Sequence, residues 1–120
     1  MNSQEFIDAV IVAVTNTSLD SVRKTLESPP GRQPQQELVE TSKWFNSLSQ
    51  EEKSKIESII NMSVNNSVFG MLCVLDGVKV IEDDEEKGDL KLYYEKNNQI
   101  VLLNPQDGMF LHDLYMSSLK

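Results

Sequence analysis

A long stretch of helical periodicity, residues 48–78, constrains this chain more than any other feature. Its apolar residues recur at intervals of three and four, the spacing that lines one face of an α-helix. They are Ile56, Ile59, Ile60, Val64, Val68, Met71, Leu72 and Leu75. Ser49 and Glu52 have the spacing of a capping box, which predicts the start of the helix, and Asp76-Gly77 predicts its end. We therefore expect one helix of about 26 residues, roughly 39 Å long.

The second half of this helix carries two further expectations. Asn65-Asn66 is a candidate position for a kink. From Val68 to Leu75 apolar residues appear on all sides, so these turns are expected to enter the interior. Cys73, the only cysteine, lies there and is predicted to be buried and unreactive. One cysteine cannot form an internal disulfide, which suits a reducing cytoplasm.

The chain before this helix is also predicted to be helical. Residues 3–14 show helical spacing of apolar side chains, and residues 16–18 predict a break followed by a second helix that ends near Glu27. Residues 28–36 contain three of the four prolines and predict a solvated loop. Residues 35–48 then resume the helical spacing.

After the long helix the pattern changes to a repeat of two, which is typical of strands. Residues 78–82, 90–95 and 99–103 are the strand candidates, and residues 96–99 predict the hairpin turn between the last two. The last candidate is apolar on both sides, which predicts a middle strand covered by helices. Residues 104–108 predict a turn, and residues 109–119 predict a terminal helix.

This order of elements predicts an α+β fold within one domain, residues 1–120. N-terminal helices and the long central helix would pack with a small antiparallel sheet of two or three strands and with a C-terminal helix. The predicted core residues are those on which the helix and strand periodicities converge. They are Trp44, Ile60, Val68, Leu72 and Leu102.

The charge of the chain restricts its partners. Nineteen Asp and Glu outnumber eleven Lys and Arg, and the formal net charge is −8. Because the basic residues do not cluster, we expect binding neither to nucleic acid nor to an anionic membrane surface. A basic protein partner would be favoured, and plain solubility is the alternative explanation. The longest apolar run has six residues and no signal-peptide pattern is present, so we expect a cytoplasmic protein without a membrane span.

Six acidic residues form the densest chemical feature and are the predicted partner-binding site. They are Glu82, Asp83, Asp84, Glu85, Glu86 and Asp89. A calcium-binding loop that begins at Asp83 does not match the required pattern, because Lys87 and Tyr94 occupy positions where oxygen ligands are needed. We therefore predict no metal site and no cofactor, and expect the carboxylates to steer a basic protein. The alternative is a solvated loop.

His112-Asp113 is the other place where chemistry could occur, because this is the only histidine. Neighbouring residues on a helix point about 100° apart, so Asp113 is poorly placed to orient the imidazole. The chain has no nucleophile elbow, zinc-protease motif or glycine-rich phosphate loop. No catalytic residue is predicted. The alternative is a small-ligand binder or enzyme with a pocket near Tyr93, Tyr94, His112 and Asp113.

These observations predict a cytosolic, acidic protein-interaction module. In size and charge the chain resembles the small acidic immunity proteins that bacteria make against basic nuclease toxins. In those proteins carboxylates occupy the surface meant for nucleic acid. The resemblance lies in composition and not in a residue motif. It implies a protein that neutralises or docks a basic protein partner.

Overall fold

The structure is a computed structural model that describes residues 1–119. It contains helices along most of its length and one small antiparallel sheet, which confirms the predicted α+β fold. In chain order the elements are α1 (Ser3–Val10), a π-helix (Ile11–Asn16), α2 (Thr17–Glu27), α3 (Gln36–Ser47), α4 (Gln50–Leu75), β1 (Tyr93–Lys96), β2 (Gln99–Leu102) and α5 (Leu111–Ser118). The residues group into two compact units, one of Thr15–Asn65 and one of Met1–Val14 with Asn66–Lys120. That residues 1–120 form a single domain stays a prediction.

The N-terminal helices are continuous, and the predicted break at residues 16–18 is wrong. The chain stays helical from Ser3 to Glu27, with the π-helix between α1 and α2. Asn16 keeps helical angles, φ −67° and ψ −40°, and its side chain makes no cap hydrogen bond. The wider turns of a π-helix let the chain continue without a new start.

The long helix α4 is confirmed with its predicted length of 26 residues. The Ser49 hydroxyl accepts a hydrogen bond from the Glu52 N–H at 3.2 Å, and the Glu52 carboxylate accepts one from the Ser49 N–H at 2.9 Å. Hydrogen bonding of the Glu52 carboxylate to Ser49, first to its backbone N–H and then to its hydroxyl, lowers the pKa of this carboxyl. Gly77 ends the helix with φ +76°, a conformation that glycine adopts cheaply. The helix is uninterrupted at Asn65-Asn66.

Helix α4 is also long and apolar enough to cross a membrane. An 18-residue window within it has a mean hydropathy of 1.4, and 11% of that window is buried. Core helices of soluble proteins pass the same test of length and composition. The helix contains Asn61, Asn65 and Asn66, and polar side chains of this kind are costly in lipid unless they find partners. The absence of a membrane span stays a prediction.

In the unit of residues 15–65, side-chain contacts join α2 to α3 and to the first part of α4. Asn46 donates to the backbone oxygen of Glu27 at 3.0 Å, and Arg23 pairs with Glu57 of α4 at 3.1 Å. Phe45 is buried, whereas Trp44 is 52% exposed, so the prediction that Trp44 is a core residue is wrong. Because adjacent residues on a helix point about 100° apart, only one of these two aromatic side chains faces inward.

The core of the other unit lies among α1, the end of α4 and α5. Its buried residues are Ile7, Leu72, Leu111, Leu114 and Tyr115. The core prediction is thus confirmed for Leu72, at 3% exposure, while Ile60, Val68 and Leu102 are only half-buried. Burial of Cys73 is confirmed. The last turns of α4 therefore enter the interior as expected.

The sheet has two strands in the part of the chain that the structure describes. Strands β1 and β2 pair antiparallel, and Asn97 and Asn98 form the turn with φ of 52° and 63°. This confirms the predicted hairpin, since asparagine tolerates positive φ better than most residues. Residues 78–82 form no strand. The prediction that residues 99–103 form a covered middle strand is also wrong, because Ile100 is 63% exposed.

Candidate partner-binding surface

All six predicted binding residues lie on one exposed segment, residues 82–89, in the irregular connection between α4 and β1. We call this segment the acidic loop. Six of its eight residues are Asp or Glu, against one Lys. The structure therefore concentrates a large share of the negative charge of the chain on a single solvent-accessible connection.

Two hydrogen bonds close the acidic loop. The Glu82 carboxylate accepts from the Gly88 N–H at 2.9 Å, and the Lys87 ammonium donates to the backbone oxygen of Asp84 at 2.9 Å. Within residues 1–119, the other carboxylates of the loop form no hydrogen bond or ion pair. They belong to Asp83, Asp84, Glu85, Glu86 and Asp89. Glu82 thus holds the loop closed, and five carboxylates project without an internal partner.

Asn104 holds the base of this connection. Its side-chain amide donates to the backbone oxygens of Leu75 at 2.6 Å and of Leu90 at 2.9 Å, and its oxygen accepts from the Leu92 N–H at 2.8 Å. Asn104 is only 6% exposed, so these bonds are largely shielded from water. One side chain therefore joins the end of α4, the exit of the acidic loop and the residues after β2. The sequence suggested only a turn at this position.

Exposed apolar side chains flank the acidic loop. Val80 and Ile81 precede it and Leu90 follows it, at 67%, 63% and 46% exposure. A cleft of about 140 Å³ lies at this place. Its lining residues are Val74, Gly77, Lys79, Val80, Ile81, Glu82, Lys87, Gly88, Asp89, Leu90 and Gln106. The surface thus combines apolar contact area with a charged border, as protein interfaces do.

The residues of the alternative pocket lie on two elements, and that pocket stays a prediction. Tyr93 and Tyr94 are adjacent in β1 and point to opposite faces of the hairpin, while His112 and Asp113 lie on α5. None of the four lines the cleft at the acidic loop. None lines the open cleft of about 450 Å³ on α2 either. Among the described residues, no hydrogen bond or ring contact joins the tyrosines of β1 to His112.

The partner of His112 is Asp76, a residue that the sequence suggested only as part of a helix stop. Asp76 Oδ2 accepts hydrogen bonds from the His112 backbone N–H at 2.9 Å and from Nδ1 at 2.7 Å. A carboxylate only accepts, so we assign the proton to Nδ1. Asp113 Oδ1 lies farther away, 3.5 Å from Nε2, which agrees with the expectation that adjacency places it poorly.

Two aromatic rings flank the imidazole of this largely buried pair. The Phe69 ring meets the imidazole edge-on at 5.5 Å and the Phe110 ring stacks on it at 5.4 Å. The Asp76 side chain is 1% exposed and that of His112 is 13% exposed. The pair therefore joins the end of α4 to the start of α5. Its geometry orients the imidazole, and His112 lines neither the cleft at the acidic loop nor the cleft on α2.

The described residues contain no group of three or more His, Cys, Asp or Glu side chains placed to hold a metal ion. Clustered carboxylates along the acidic loop are thus not arranged as a cation site. The absence of a metal and of a cofactor stays a prediction.

Comparison of the chain with protein families, with curated proteins and with solved structures finds no match.

Proposed function

We propose that this protein is a cytosolic interaction module that docks a basic protein partner through the acidic loop. The observation that supports this most is the set of five projecting carboxylates that have no internal partner within residues 1–119. A loop closed by Glu82 and Gly88 presents these charges in a limited set of arrangements, which lowers the entropic cost of binding. The net charge of −8 adds a long-range attraction for a basic protein.

The flanking apolar side chains give the surface a second source of affinity. Clustered charges mainly raise the association rate, whereas desolvated apolar contacts mainly slow dissociation. Val80, Ile81 and Leu90 are exposed beside the charges, so docking would bury them. A basic enzyme, such as the nuclease toxins that immunity proteins neutralise, has the surface chemistry that fits.

The test begins with capture of a partner from the source cell at low salt, followed by measurement of association kinetics with the purified pair. Replacing Asp83, Asp84, Glu85 and Glu86 together by Ser should lower the association rate about tenfold or more at low ionic strength. The melting temperature should change little, because these side chains form no hydrogen bond or ion pair within residues 1–119. Raising the salt should shrink the difference, since the Debye length is about 8 Å at physiological ionic strength.

A matched control removes the same charge elsewhere. Glu27, Glu37, Glu40 and Glu51 are exposed acids of the unit of residues 15–65, and their replacement by Ser lowers the total charge equally. The control should slow association much less than the loop variant. If the loop variant and the control variant slow association equally, the acidic loop contributes only net charge, and the proposed docking site is contradicted.

Apolar contacts are tested by Val80→Ser with Ile81→Ser. This pair should speed dissociation while leaving the association rate nearly unchanged. An unchanged dissociation rate would show that docking uses the charges without the neighbouring apolar surface.

A further inference from the structure

Strand β2 has a free outer edge. In an antiparallel pair, alternate residues turn their N–H and C=O towards the partner strand. The Leu103 N–H donates to the Leu92 oxygen at 2.8 Å, so Val101 and Gln99 also face β1, two and four residues earlier. The backbone groups of Ile100 and Leu102 therefore point away from the hairpin. Within residues 1–119, no other element hydrogen-bonds to the backbone of these two residues.

This edge lacks the features that normally prevent a strand from pairing. Strand β2, Gln99–Leu102, contains no charged residue and no proline, and Ile100 and Val101 are 63% and 36% exposed. The outer edge of β1 differs, because Glu95 and Lys96 place charges along it. Charged side chains protect edge strands against pairing, whereas an uncharged apolar edge is a template for another strand. The open side of the sheet is thus β2.

Charge decides which strand fits. Asn104 follows β2 and also holds Leu90 at the exit of the acidic loop, so the end of β2 and the acidic loop are joined at one buried side chain. A strand added along Ile100 and Leu102 and continued past them runs towards Asn104, whose side chain binds the residue that follows the acidic loop. Lysine or arginine side chains would complement the carboxylates of that loop, and a second copy of this chain, with its own charge of −8, would not.

We infer that the outer edge of β2, from Ile100 to Leu102, takes up an extended basic segment of the partner as a third antiparallel or parallel strand. The inference rests on the proposed function and specifies its mode of binding and the kind of segment recognised. Backbone hydrogen bonds at Ile100 and Leu102 would hold the added strand. Apolar side chains of β2 would contact those of the added strand on both faces of the sheet. The acidic loop would favour segments with basic residues.

The experiment uses a short capped peptide in which lysine and valine alternate, added to the full chain and followed by NMR amide hydrogen exchange. Exchange of the Ile100 and Leu102 amides should slow about tenfold or more. The amides of Tyr93 and Glu95, on the outer edge of β1, should not change. A peptide of the same sequence with its central amides N-methylated keeps the charge and side chains but cannot pair, and it should give no protection.

Two variants sharpen the result. Ile100→Pro removes the outward donor at a position where a ladder bond is not lost, and it should abolish the protection of Leu102 by the peptide. If that variant fails to fold, Ile100→Lys places a repelling charge on the edge and should weaken the peptide at least about tenfold without altering the circular dichroism spectrum.

The outcomes separate this inference from the proposed function. Peptide binding that leaves Ile100 and Leu102 unprotected, or equal binding of the N-methylated peptide, overturns the strand addition and leaves docking by charge in place. Absence of peptide binding also overturns it. Protection that rises with protein concentration and needs no peptide would assign the edge to a second copy. Partner association that ignores the charges of the acidic loop would instead remove the proposed function.

Discussion

Asp76 and His112 show how much one pair of side chains can organise in this chain. They lie 36 positions apart, yet one carboxylate oxygen accepts both the backbone N–H and the Nδ1–H of the histidine. The other carboxylate oxygen, Oδ1, is buried and has no hydrogen-bond partner in the described residues. The pair therefore stabilises the junction of α4 and α5 through two bonds while it carries the cost of one unsatisfied buried atom.

Replacing Asp76 by Ala should lower the free energy of unfolding by about 1 to 3 kcal/mol, because two donors of His112 lose their acceptor in a closed site. Asp113→Ala is the control, because the Asp113 carboxylate also lies beside the His112 ring but its side chain is 56% exposed. It should cost less than about 1 kcal/mol. Urea denaturation of both variants measures the difference. Equal losses in the free energy of unfolding would show that the buried hydrogen bonds of Asp76 do not stabilise the fold more than the exposed Asp113 does.

Cys73 gives a prediction about alkaline pH. Burial raises the pKa of its thiol above the ordinary 9.0, the Asp76 carboxylate raises it further, and Lys79 acts in the opposite direction. The folded chain thus holds the proton more tightly than the unfolded chain. The stability that this contributes is fully present below about pH 9 and is lost as the pH rises through the raised folded-state pKa.

The measurement is the urea midpoint as a function of pH from about 8 to 10, compared with Cys73→Ala. The wild type should lose stability more steeply than the variant over this range. Native wild-type protein should also react slowly with a thiol reagent until it is unfolded. Parallel pH profiles together with rapid labelling would show that the thiol is accessible in the folded chain.

At the scale of the element, α4 has two adjacent residues with opposite surroundings. Leu72 is 3% exposed and Met71 is 58% exposed. Leu72→Ala should lower the free energy of unfolding by about 2 to 5 kcal/mol, as expected for a leucine in a packed core. Met71→Ala should change it by less than about 0.5 kcal/mol. Denaturant melts of the two variants test which face of α4 is buried. Similar changes in the free energy of unfolding would show that the helix is rotated about its axis relative to this structure.

The two compact units raise a question at the scale of the whole molecule. Trp44 lies in the unit of residues 15–65, and the three tyrosines, Tyr93, Tyr94 and Tyr115, lie in the other. Helix α4 runs through both units without interruption. Because helix formation is cooperative, unfolding the turns of α4 in one unit should destabilise the turns of the same helix in the other.

Unfolding followed by Trp44 emission and by second-derivative absorbance of the tyrosines should therefore give coincident midpoints in urea. Coincidence would establish the single domain that the sequence predicts. Two separated midpoints would assign each transition to one unit and divide the chain into two domains.

The features that the sequence determined by itself depend on residues a few positions apart. Ser49 and Glu52 are three apart and form the cap that starts α4, Gly77 ends it, and Asn97-Asn98 form the hairpin turn. Local backbone geometry controls all of these, so a pattern of spacing and residue type is enough to predict them. The exposed acidic loop belongs here too, because like charges resist burial whatever surrounds them.

Contacts between distant positions were decided only by the tertiary structure. Asn104 reads as a turn residue in sequence and becomes buried through three bonds to residues 12 to 29 positions away. Trp44 and Phe45 are both large aromatic residues, but only Phe45 is buried in the folded chain. Residues 78–82 alternate like a strand but pair with no strand. In each case the outcome depends on which side chains and backbone groups are brought close in space, and that proximity is not encoded in any local spacing.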